Sequence, residues 1–140
     1  MRYLGLDLGT KTLGIAISDL THTIASPLKT IRFEEGESYK AISEIKSLVL
    51  EFNVEKIILG FPKNMNNTVG ESGKRTLLFK EDLEREINIP VIMQDERLTT
   101  VEATNYMLEA NASRSLRKKK IDGLAANIIL QTYLDKEKGN

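Results

Sequence analysis

Tyr3-Leu4-Gly5-Leu6-Asp7-Leu8-Gly9-Thr10-Lys11-Thr12-Leu13-Gly14-Ile15-Ala16-Ile17-Ser18 is the stretch that decides the fold. Successive side chains of a strand point to opposite faces. Arg2, Leu4, Leu6 and Leu8 therefore share one face, and Tyr3, Gly5 and Asp7 the other. Gly9-Thr10-Lys11 reads as a turn. Leu13, Ile15 and Ile17 then alternate with Gly14, Ala16 and Ser18. A third strand is predicted from Thr23 to Phe33. Pro27 has no N–H to give a ladder, so it places a bulge or an edge position there. Connections this short make the three strands an antiparallel meander.

After Phe33 the period changes. Ile42, Ile45, Leu48, Val49 and Phe52 have helical spacing. Lys56-Ile57-Ile58-Leu59-Gly60 is an apolar run of the kind buried on both faces. A polar loop follows to Gly73, then a helix marked by Leu77, Leu78, Leu83 and Ile87. Pro90 to Met93 reads as a strand. Thr99-Thr100-Val101-Glu102 offers a capping box for a helix ending near Ala110. A last helix carries Ile121, Leu124, Ala125, Ile128, Ile129 and Tyr133, and the tail from about 136 to 140 is expected to fray. Strands that alternate with helices imply parallel pairing. The prediction is one α/β domain over residues 1–140, with a mixed five-stranded sheet and helices on both faces.

Composition narrows the chemistry. With 140 residues, 41% hydrophobic and 29% charged, the chain can bury a core of its own. It has no cysteine, so disulfides and thiolate metal sites are excluded. His22 is the only histidine. It is expected in a strand turn, and nothing around it resembles a nucleophile elbow. No apolar run is long enough to span a bilayer and the start lacks a signal-peptide pattern, so the expected compartment is the cytoplasm, with no membrane partner.

Three acids sit where a solvated charge is not expected. Asp7 ends an apolar run, Glu96 follows Ile89-Pro90-Val91-Ile92-Met93, and Asp122 interrupts Ile121-Gly123-Leu124-Ala125-Ala126. Each has an ordinary reading. Asp7 could cap a turn, Glu96 could pair with Arg97, and Asp122 could be a first-turn acid favoured by the helix dipole. Together they suit a hard divalent cation, which takes oxygen ligands. Convergent carboxylates holding Mg²⁺ or Mn²⁺ serve phosphodiester chemistry. Net charge is zero, yet Arg114, Arg117, Lys118, Lys119 and Lys120 place five cations in seven residues just before Asp122. The loop from Phe61 to Arg75 is long for a compact domain and carries Lys63, Lys74 and Arg75. It is expected to order over a nucleic-acid backbone, with Ser72-Gly73-Lys74 opening the next helix.

Asp7-Leu8-Gly9 with Lys11, Gly14-Ile15-Ala16 and Ser18-Asp19 resembles the opening of the YqgF/RuvX family. Those RNase H-like proteins are described as Holliday-junction resolvase-like or as pre-16S rRNA nucleases. Gly60-Phe61-Pro62 with its Asn-rich loop, Asp95-Glu96-Arg97-Leu98-Thr99-Thr100, and Asp122-Gly123-Leu124-Ala125-Ala126 resemble the family's other segments, in order. The resemblance implies strand order 3-2-1-4-5 and carries Asp7, Glu96 and Asp122 over as catalytic, metal-binding acids. It implies a nuclease acting on structured nucleic acid. Precursor 16S rRNA, with the ribosome precursor as a partner, is the first substrate and a four-way DNA junction the second. Phosphate contacts are expected from Lys11, Lys63, Lys74, Arg75, Arg97, Arg114, Arg117 and Lys118 to Lys120. Two-metal relatives usually supply a fourth carboxylate one turn from the last. Here Lys118, Lys119, Ala125 and Ala126 hold those places, which leaves Asp19 and Asp95 as candidates. A binding module that docks on RNA or a transcription complex without cutting is the alternative. The opening also looks like the phosphate hairpin of sugar kinases, but those close two such domains around ATP and this chain has one.

Overall fold

The computed structural model describes residues 1–62, 70–95 and 114–139, the helical stretch 114–123 by its backbone alone. β1 (Arg2–Leu8), β2 (Thr12–Ser18) and β3 (Ala25–Arg32) form the antiparallel meander. Then come α1 (Ala41–Glu51), β4 (Val54–Phe61), α2 (Glu71–Glu86), β5 (Val91–Asp95) and α3 (Arg114–Glu137). β4 pairs parallel to β1, and β5 parallel to β4. The sheet order is β3-β2-β1-β4-β5, the order the family resemblance implies. β3 is shorter than the predicted Thr23–Phe33. It lies at the sheet edge, where a proline is tolerated, and its register slips beside Pro27.

The alternation read in β1 and β2 separates two cores. Leu4, Leu6, Leu8, Leu13 and Ile15 face α1 and α2, among them Ile45, Leu48, Phe79 and Leu83. Tyr3, Ala16 and Ile58 face α3, which contributes Ala126, Ile129, Leu130 and Leu134. Glycine lets α3 come close. A Cβ at Gly5 would lie 2.7 Å from Leu130 Cβ and 3.0 Å from the Ala126 carbonyl oxygen.

Helix phase is where the sequence reading failed. Leu77 and Leu78 are exposed on α2, while Thr76, Phe79 and Leu83 are buried. Positions 76, 79, 83 and 87 keep the 3–4 spacing of one helix face, whereas 77 and 83 do not. α2 also starts at Glu71, so Gly73, Lys74 and Arg75 lie inside it rather than in the preceding loop. On α3 the predicted Leu124, Ile128 and Ile129 are buried and Tyr133 packs on the core, while the sheet-facing cluster also takes in Ala126, Leu130 and Leu134, which the predicted stripe left out. The tail is helical through Glu137, whose carboxylate accepts a hydrogen bond from Tyr3 Oη at 2.9 Å. The predicted helix from Thr99 to Ala110 lies outside the described residues.

Candidate active site

Asp7 is half-buried on the α3 face of β1, and its partner on β2 is Gly14. On the other side Leu6 pairs with Leu59 of β4, so one residue further Asp7 stands level with Gly60. Gly60 pairs with Gln94 of β5. The row across four strands therefore reads Gly14, Asp7, Gly60, Gln94. Neighbouring strands lie about 4.8 Å apart. The positions level with the Asp7 carboxylate on both neighbouring strands are therefore glycines without side chains, and both are buried.

α3 passes over this row. Gly5 lies under Ala126 and Leu130, and Tyr3 reaches Tyr133 and Glu137, so α3 runs against the direction of β1. Asp7 is two residues past Gly5, about 6.6 Å along the strand. Four residues of helix cover about 6 Å. The turn of α3 level with Asp7 is therefore the one containing position 122. Ala126, Leu130 and Leu134 are successive i+4 positions on the sheet-facing ridge, and position 122 is the next one back.

This placement changes the reading of Asp122. It is the ninth residue of α3, not a first-turn residue. The basic run from Arg114 to Lys120 is helical rather than a loop leading into a helix. It continues α3 past the carboxyl end of β1. The same edge of the sheet holds the Gly9–Lys11 turn, where Gly9 N–H donates to the Thr12 carbonyl at 2.7 Å. It also holds the end of β5 at Asp95 and, on the other face, the start of α2 with exposed Lys74 and half-buried Arg75. Glu96, Arg97 and Lys63 lie outside the described residues. Among the described residues no three His, Cys, Asp or Glu side chains form a metal-sized group.

Asp19, a candidate fourth acid, is occupied elsewhere. It accepts hydrogen bonds from Thr21 Oγ1 at 2.6 Å, Thr23 N at 2.8 Å and Ile24 N at 3.1 Å. The Thr21 hydroxyl, helped by those two amides, draws its carboxyl down to about 2. His22 sits in the same turn with a left-handed φ of 57° and stacks on Tyr3 at 4.0 Å. Its Nε2 lies 2.9 Å from the Met1 carbonyl and 3.2 Å from Glu55, so it belongs to the far edge of the sheet. Lys56 is there too, donating to Tyr133 Oη at 2.9 Å and Glu137 at 3.1 Å beneath two aromatic faces. Burial pulls the Lys56 ammonium down, but its bonds to Tyr133 and Glu137 outweigh this and hold it above the usual lysine range. Burial likewise pushes Glu137 up, and its bonds from Tyr3 and Lys56 outweigh that and hold it low. The sequence gives no local sign of this cluster, because its members are far apart along the chain.

The sequence profile described as "RuvX: Holliday junction resolvase" matches residues 1–136. The chain belongs to the RuvX family. A relative from Bacillus subtilis (strain 168), named "Putative pre-16S rRNA nuclease", is 49% identical over 96% of this chain and 98% of its own length. One from Caldanaerobacter subterraneus subsp. tengcongensis with the same name is 49% identical over 100% of both. Among solved structures, T. thermophilus RuvC in complex with Holliday junction substrate has a TM-score of 0.69 at 15% identity, covering 100% of this chain and 97% of that one. The fowlpox virus Holliday junction resolvase has 0.58 at 16%, covering 98% and 99%. At those identities the likeness is one of fold. This RuvX-family chain therefore has the resolvase-type sheet that the family resemblance implied.

Proposed function

We propose that this RuvX-family chain is a divalent-metal-dependent nuclease that cuts phosphodiester bonds in structured nucleic acid. The 5′ end of precursor 16S rRNA in the cytoplasm is its first substrate. The observation that carries the reading is the Asp7 row: a half-buried carboxylate between two glycines, at the sheet edge where α3 and β5 arrive. Two relatives that match over nearly the whole chain, both named for a pre-16S rRNA nuclease, support the substrate.

The donor chemistry suits Mg²⁺ or Mn²⁺, because Asp7, Glu96 and Asp122 offer only oxygen. Such a cation supplies Lewis-acid stabilisation of a phosphoryl oxygen and lowers the pKa of water. Asp7 would hold the cation and orient the attacking water with Glu96, and Asp122 would complete the set and place the scissile phosphate. Lys11, Lys74, Arg75 and the cations from Arg114 to Lys120 would neutralise flanking phosphates. These contacts position a strand without reading its bases.

The test is cleavage of a labelled precursor rRNA 5′ fragment and of a four-way DNA junction, with Mg²⁺ or Mn²⁺ and with chelator. The expected result is metal-dependent cutting of the RNA that Asp7→Asn abolishes. Equal cutting by Asp7→Asn would overturn the site. Binding of the RNA without cutting under any metal would leave the chain a docking module.

A further inference from the structure

α2 buries Gly73, Thr76, Phe79 and Leu83 and turns its other side outward. Leu78 is 64% exposed at the middle of that outer side, with Leu77 beside it at 39%. Single exposed leucines are common on protein surfaces. The charge around this one is what singles it out. Lys74 and Arg75 stand one turn before Leu78, and Glu81 and Asp82 one turn after. Glu71 and Arg85 stand two turns away on either side. The spacings of three and four place all of them on one stripe, opposite the buried face. Arg75 and Asp82 are half-buried and the rest are exposed. The stripe is antisymmetric about Leu78: turning the helix end for end exchanges each charge for its opposite. Two copies of α2 laid antiparallel about a twofold axis at Leu78 therefore match along their length. Lys74 comes level with Glu81 and Arg75 with Asp82, each within one residue's rise of about 1.5 Å. Glu71 comes level with Arg85, and symmetry makes every pair twice. Asp82 already accepts from Arg85 within its own helix, and a carboxylate has room for a second donor. Leu77 lies on the same flank of the axis in both copies, so four leucines close around it.

We infer that the outer face of α2 binds a second copy of this chain, helix against helix, antiparallel about Leu78. A helix of 16 residues spans about 24 Å. Two such helices bury less than the roughly 800 Å² per partner of a standard interface. Association is therefore weak and reversible, with a Kd expected at about 10–100 µM. The leucines supply the apolar contact. The ion pairs set direction and register, since matched surface charges give specificity more than affinity. The inference stands apart from the nuclease reading, because association is read without substrate. In the pair Lys74 and Arg75 face acids of the other copy. On the nuclease reading, a substrate strand and a second copy compete for these two cations.

The test is sedimentation velocity of the full chain, from well below to well above that concentration range. The parent should pass from monomer to dimer, and added salt should weaken the dimer. Leu78→Glu puts two like charges on the axis and should leave a monomer. Two charge variants should do the same. One combines Lys74→Glu with Arg75→Glu, the other Glu81→Lys with Asp82→Lys, and each brings like charges together across the axis. Mixing these two variants should restore a dimer with one copy of each, because every pair across the axis is again of opposite sign. No substituted residue belongs to the buried face of α2, so all three proteins should melt near the parent temperature. A parent that stays monomeric at every concentration overturns the inference, as does a dimer that survives Leu78→Glu. Dimers formed by either charge variant alone, or a mixture that stays monomeric, would overturn the antiparallel pairing.

Discussion

The two ends of the sheet face under α3 use polar residues in opposite ways. At the amino end of β1, polar groups pair with one another across the sheet and α3. Ser18 Oγ accepts from Tyr3 N at 2.8 Å, Tyr3 Oη donates to Glu137, and Lys56 bridges Tyr133 and Glu137. At the carboxyl end, Asp7 lies between glycines and Gln94 keeps a buried donor without a partner among the described residues. Both ends lie under one helix and share one strand, so burial alone does not explain the contrast. Paired groups hold α3 in place. Asp7, half-buried among glycines, is left for chemistry on the nuclease reading. A charged pair held by several bonds stabilises the fold, whereas a buried donor without a partner costs stability.

Breaking the carboxyl end should have the largest effect. Losing one carboxylate that holds the charge-stabilising cation removes several kcal/mol, so Asp7→Asn should cut on the order of 10³-fold more slowly. Its melting temperature should match the parent or rise, as expected for a charge kept for chemistry. A large drop in melting temperature would instead place Asp7 with the amino-end cluster.

Next comes the contact on which both ends depend. Gly5→Ala puts a methyl group where Leu130 Cβ and the Ala126 carbonyl already are. Overpacking of this kind should cost about 1–3 kcal/mol by denaturant titration. Because α3 must move, cleavage should fall as well, even well below the melting point. Stability loss with unchanged cleavage would show that α3 can tilt without disturbing the row at Asp7.

Lys56→Met sharpens the comparison from the amino end. It should lower stability by about 1 kcal/mol, a modest figure because both partners are partly solvated, and leave cleavage unchanged. The pH dependence follows from the two shifts. Glu137 is held low, so its contribution is present above its unfolded pKa and is lost as the pH falls through the folded one. Lys56 is held high, so its contribution is present below its unfolded pKa and is lost as the pH rises through the folded one. Parent and variant should therefore differ most near neutrality and converge at both extremes.

The smallest effect is expected at the exposed β2–β3 turn. Asp19→Asn loses stability that is present above the ordinary carboxylate pKa and vanishes as the pH falls toward about 2. Melting curves of variant and parent should differ at pH 5 and coincide near pH 2. A gap that stays constant across that range would mean that the turn gains nothing from the charge.

The sequence by itself determined the sheet. Period-2 alternation in β1 and β2 sorts Leu4, Leu6 and Leu8 from Tyr3, Gly5 and Asp7, and a strand that slips by one residue would turn its apolar face to water. Short connections then made the first three strands a meander, and the family resemblance supplied the order of the whole sheet. The sequence also marked Asp7, since a carboxylate among glycines at a strand end is a local pattern. It did not fix the phase of α2 or α3. A helical stripe is wide, so Leu77 or Thr76, Ala125 or Ala126, fit one turn almost equally well until a packed surface selects between them. Only the tertiary structure moved Asp122 from a helix start to the interior of a 24-residue helix, level with Asp7. Only register between strands far apart in the chain put Gln94 in the row of Asp7. Pairing of this kind is written in no stretch of sequence, because it depends on which backbone groups meet once the core has closed.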